Sequence, residues 1–85
     1  MKTADLHLNI QRLTKKCEEN MQVCANLEKS FVRKYKEAAE EEDSIKRKQL
    51  LVTAKGIETE SNKLKRHITS WEEKLNTLKK QKKDL

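Results

Sequence analysis

Apolar side chains recur along this chain at alternating spacings of three and four residues, and charged or amide side chains fill most positions between them. In the first half, Ile10, Cys17, Cys24, Phe31 and Ala38 fall seven residues apart and define the a position of a heptad. Leu6, Leu13 and Leu27 take d, with Asn20 the one polar residue in that row before Lys34 and Glu41 spoil it. In the second half, Leu50, Ile57, Leu64, Trp71, Leu78 and Leu85 recur at d, while Ala54, Ser61, Ile68 and Leu75 fill a until Lys82 breaks the row. Sustained 3–4 alternation keeps one narrow stripe of a helix against a partner helix, the pattern of a left-handed coiled coil. The spacing predicts an all-α chain, one coiled-coil segment over residues 1–85. Its first heptad tract covers 3–38, a weak zone 34–50, and a second tract 50–85.

The two tracts differ in phase by two residues, so the seam must shift between Phe31 and Ile57. Two architectures satisfy that shift. The preferred one is a long helix, continuous or nearly so over residues ~3–84, whose seam drifts around it. Glu42 and Asp43 stand four residues before Lys46 and Arg47, in the order that favours ion pairs within one helix. The first a row also runs on through Ile45 and Val52, and no Gly or Pro marks a loop. The alternative is an antiparallel helical hairpin turning near residues 41–45, where Asp and Ser are suitable N-caps. Pairing a with d across that centre sets Phe31 near Ile57 and Cys17 near Trp71. A continuous rod would be roughly 125 Å long at 1.5 Å per residue, and a hairpin about half that.

Composition removes the competing fold classes. Only 34% of the residues are hydrophobic and 4% aromatic, against 40% charged, which is thin material for a compact core. Disorder is disfavoured by a single glycine (Gly56) and no proline, and by the abundance of Lys, Glu, Leu, Ala, Gln and Arg, all good helix formers. A lone helix with such a stripe leaves its leucines in water. The stripe therefore needs a partner: a second copy, its own other half, or another protein. In a parallel homodimer, Glu60 with Lys65 and His67 with Glu72 would pair acceptably across g and e′, but Lys74 would face Lys79. A different coiled-coil chain is thus as good a partner as the chain itself. The expected interface residues are Leu6, Ile10, Leu13, Cys17, Cys24, Leu27, Phe31, Leu50, Ile57, Leu64, Ile68, Trp71, Leu75 and Leu78.

Charge adds a second functional expectation. The formal net charge of +6 is uneven: residues 1–44 hold eight basic and nine acidic side chains, and residues 45–85 hold twelve and five. A basic half invites contact with an acidic partner, nucleic acid included, and Lys74, Lys79, Lys80, Lys82 and Lys83 are the candidate polyanion contacts. They occupy g, e, f, a and b, so they surround the helix rather than line one face, and no aromatic residue for base stacking stands among them.

No residue pattern supports chemistry. Cys17 and Cys24 are seven apart, one per a layer, whereas zinc sites space cysteines by two to four; they read as small core residues. His7 at e and His67 at g flank the seam. One glycine cannot build a phosphate-cradling loop, and no catalytic, metal or cofactor site is expected. Trp71, within an unbroken Leu/Ile row, reads as core, and Asn20 as a polar residue fixing register. No apolar run approaches the ~20 residues of a membrane span, and polar Lys2, Asp5, His7 and Asn9 interrupt any signal-peptide core. The expectation is a non-enzymatic structural or scaffolding coiled coil of the cytoplasm or nucleus that mediates oligomerisation or protein–protein assembly. It would be a fragment or small subunit of a larger complex. The alternative function is a basic helical module binding nucleic acid or another polyanion through residues 45–85.

Overall fold

The computed structural model describes residues 3–84 as two helices, α1 from Thr3 to Glu40 and α2 from Ser44 to Lys83, packed against each other as a hairpin. The molecule is 63 × 14 × 13 Å, half the length of a continuous rod. Of the two architectures that the heptad pattern allows, the chain adopts the antiparallel one. Leu85, the last member of the second d row, lies outside the described residues.

The turn is built by the residues that suggested an uninterrupted helix. Asp43 sits in extended backbone (φ −75°, ψ 120°), and its carboxylate accepts from the amides of Ile45 and Lys46 at 2.9 and 3.1 Å. These are two of the amides that a helix N-terminus leaves without intrahelical partners. Arg47, instead of pairing along its own helix, reaches back so that Nε and Nη2 donate to the Glu41 carbonyl at 3.0 and 2.7 Å. That bond matters because α1 carries no basic residue in its last turn, and a cation at the carbonyl end of a helix is favourable. The Asp43 amide is taken by Glu41 Oε1 at 3.1 Å. No described residue has positive φ, so the turn requires no glycine, and the absence of one there was no argument for continuity.

The turn also resets the register. Ala38 is the last a residue of the first tract to be buried, at 1% exposure. Ile45 and Val52, which extend the same row in sequence, are 69% and 74% exposed. Beyond the turn the seam belongs to the second phase, in which Ala54, Ser61, Ile68 and Leu75 are all buried. Asn20, half-buried in the d row, donates its side-chain amide to the Lys16 carbonyl of its own helix at 2.8 Å.

Candidate functional site

The functional surface of a two-helix hairpin consists of its seam and the faces the seam leaves outside. Of the expected interface residues, Leu6, Cys17, Cys24, Ile68 and Leu75 are buried. Ile10, Leu13, Leu27, Phe31, Leu50, Ile57, Leu64, Trp71 and Leu78 are half-buried. Half-burial is what two strands produce, since a two-helix seam covers a and d from one side only. Three further residues are fully enclosed: Ala38, Ala54 and Ser61. Their heptad positions are legible in the sequence, but their small or polar side chains hid their depth. The Ser61 hydroxyl is satisfied by Cys24 Sγ at 3.5 Å, so no buried side-chain N or O among the described residues lacks a partner.

The flanks fix the alignment. Glu28 and Lys65 form an ion pair across the seam, and the Tyr35 hydroxyl donates to Glu58 Oε2 at 2.8 Å. All four occupy e positions, and the two pairs lie one heptad apart on each helix. Pairing of e with e′ is the arrangement of antiparallel strands, whereas parallel strands pair g with e′. Lys65 is therefore engaged within the hairpin rather than offered to Glu60 of another copy. These bonds hold the Tyr35 hydroxyl and the Lys65 ammonium above their usual pKa ranges, in each case chiefly through the hydrogen bond to the partnering glutamate. No search for apolar periodicity finds such pairs; only the e positions of two tracts read in antiparallel do.

On the opposite flank, Trp71 is half-buried beneath a cation. The Lys16 ammonium lies 4.4 Å from the indole centroid, and His67 stacks on the same ring at 5.9 Å with 24° between planes. Cation–indole contacts of this kind contribute about 0.5–1 kcal/mol at exposed sites. His7 is exposed near the free ends of the helices. Cys17 and Cys24 are both free thiols in the seam. Burial, and then the nearby Glu72 carboxylate, pushes the Cys17 thiol upward, which makes it a poorer nucleophile.

Among the described residues, no three His, Cys, Asp or Glu side chains converge. Lys74, Lys79, Lys80, Lys82 and Lys83 are all exposed. Lys80, Lys82 and Lys83 fall in the last turn of α2, where their charge complements the carbonyl end of the helix. No helix among the described residues is long and apolar enough to cross a membrane.

One feature of the outer surface was missed by the heptad reading. Met21, Ala25, Glu28, Val32, Tyr35 and Ala39 repeat with the same 4–3 spacing as the seam, one step around α1 at e and b. Met21 and Val32 stand 47% and 52% exposed. Leu51, an e residue one heptad before Glu58, brings a further exposed leucine to the same side. At the Met21 end of the stripe, Met21, Ala25, Glu28, Lys65, Thr69 and Glu72 ring a shallow depression whose floor reaches Cys24 and Ile68. The signal was present in the sequence, but a search that assigns one stripe per helix does not look for a second. No protein-family model, curated protein or solved structure matches this chain.

Proposed function

We propose that this chain is a non-enzymatic structural module: a short, stiff coiled-coil hairpin that serves protein–protein assembly in a reducing compartment, cytoplasm or nucleus. The observation that carries this reading is the division of its apolar residues. One stripe on each helix is consumed by the partner helix, while Met21, Val32, Ile45, Leu51 and Val52 remain outside, well exposed. A hairpin that needed only to fold would gain nothing from those residues. A module that holds other chains has a use for them where they lie side by side. Two unpaired thiols in the seam agree with a compartment in which disulfides do not form.

Cross-linking of the chain at native abundance, followed by sizing in high salt, tests the reading. The expected product is a defined species containing at least one other protein in fixed ratio, stable to salt because apolar contacts hold it. Recovery of a lone 10.0 kDa chain would sink the proposal. So would recovery of a complex that dissolves on nuclease treatment or with rising salt, since counterion release makes polyanion binding fall steeply with salt. That second outcome would favour the basic half, residues 45–85, as the working surface.

A further inference from the structure

We infer that the second stripe of α1 is a docking site for an amphipathic helix of another protein, one whose apolar stripe is flanked by acidic residues. The inference rests on the assembly role proposed above and names the surface and the partner's chemistry. The stripe Met21–Ala25–Glu28–Val32–Tyr35–Ala39 alternates by four and three residues, as the internal seam does. A left-handed supercoil follows that spacing, so the shape of its complement is another helix. Its length, from Met21 to Ala39, is roughly 27 Å at 1.5 Å per residue, or five turns. The depression beside Met21 and Ala25 exposes the edge of the core at Cys24 and Ile68, giving a side chain of the incoming helix a place to insert.

Charge selects the occupant. Along α1 the stripe is bordered by Lys29 and Lys36 at f; along α2 the same side carries Lys48 and Lys55 at b. All four are exposed, and none joins an ion pair among the described residues. Of the glutamates on this face, Glu28 is engaged by Lys65 and Glu58 by Tyr35, and Glu72 stands at the Met21 end, away from the four lysines. A floor that shows Met21, Val32 and Leu51 around two internally neutralised pairs, set between two lysine borders, attracts a helix with Glu or Asp beside its apolar stripe and repels one with Lys or Arg there. A second copy of this chain is a poor occupant for the same reason. Stripe against stripe, the Lys29–Lys36 border of one copy would lie along the same border of the other.

The test uses the full chain and two synthetic helical peptides of three heptads, each with Leu at a and Ala at d. One peptide carries Glu at e and g, and the other Lys. Fluorescence anisotropy of the labelled peptides should show the Glu peptide binding at least tenfold more tightly than the Lys peptide. Val32→Asp combined with Leu51→Asp should weaken that binding at least tenfold while circular dichroism stays unchanged, because both positions are exposed. Lys36→Glu combined with Lys55→Glu should reverse the preference. Equal affinity for the two peptides, no binding of either, or an unreversed preference would overturn the inference. So would a doubled chain mass that Val32→Asp returns to one, since a second copy would then cover the face. If the wild-type chain still assembles in fixed ratio and Val32→Asp does not disturb that assembly, the module reading stands and only this face is wrong.

Discussion

Toward the turn, the buried seam positions are Cys24, Ala38, Ala54 and Ser61; toward the free ends they are Leu6, Cys17, Ile68 and Leu75. The outside of the molecule shows the reverse. Val23, Val32, Ile45, Leu51 and Val52 are exposed in the turn-proximal half, against Leu8 and Met21 nearer the free ends. The free-end half thus buries Leu6, Ile68 and Leu75, whereas the turn half buries small side chains and shows more of its large ones to solvent. The free-end half needs its own packing because nothing covalent holds its ends together. The turn half is already closed by Asp43 and Arg47, which lowers the entropy its seam must offset. Its polar pairs, Glu28–Lys65 and Tyr35–Glu58, fix alignment at little apolar cost. What that half saves inside is available outside for another chain.

The sharpest test of this difference is a pair of opposite volume changes. Ile68→Ala deletes a 6%-exposed side chain from the free-end half and should cost about 3 kcal/mol, the usual range for such truncations being about 2–5. Ala54→Leu adds bulk where Ala54 has 0% exposure and should cost about 1–3 kcal/mol through overpacking. Urea unfolding followed by circular dichroism reads both. A stabilising Ala54→Leu would mean that the turn half is loosely packed rather than close-packed with small residues, and the comparison would collapse.

The turn comes next in size. Asp43→Ala removes the acceptor for the Ile45 and Lys46 amides and should cost about 1 kcal/mol, within the range of about 0.5–2 for N-caps. Asp43→Asn, which keeps a side-chain oxygen, should recover most of that. An unchanged urea midpoint for Asp43→Ala would show that closure of the turn half rests elsewhere.

These residues also show where the sequence was legible and where it was not. The heptad rows named the buried stripe because burial follows apolar periodicity, and the phase change of two residues bracketed a seam shift between Phe31 and Ile57. What it could not decide was whether the chain reversed there. Asp43 and Arg47 are equally suited to an i,i+4 pair in one helix and to a cap with a return bond between two, since the same charges satisfy either geometry. Only the tertiary gain from burying Ala54, Ser61 and Ile68 against α1 distinguishes them, and that gain is non-local. Ile45 and Val52 illustrate the consequence: their periodicity with Ala38 is real in the sequence, but a register reset turns both outward.

Gly56 gives a smaller and opposite effect. It lies inside α2, its φ is not positive, and a Cβ built on it meets nothing within 4 Å. Gly56→Ala should therefore stabilise the turn half by about 0.5–1 kcal/mol, through reduced freedom of the unfolded chain and better helix propensity. A destabilising result would place a backbone requirement at Gly56 that the open surface around it does not show.

The last effect is a matter of pH and tests whether polar pairs clasp the turn half. Tyr35 is the one tyrosine of the chain, so absorbance near 295 nm reports it alone. Its hydroxyl donates to Glu58 at 2.8 Å, and that bond raises its pKa in the folded state. A raised folded pKa means that the stabilisation is fully present below the unfolded value, near 10, and is lost as pH climbs through the folded one. Lys65, raised by its bond to Glu28, has the same sign, so the two pairs weaken together in alkali rather than in opposite directions. Spectrophotometric titration should place the Tyr35 midpoint above that of a free tyrosine amide, and Glu58→Gln should bring it down. A midpoint equal to the free amide would show that the hydroxyl spends its time in water. The turn half would then be held by its covalent closure and small-residue packing, without the clasp.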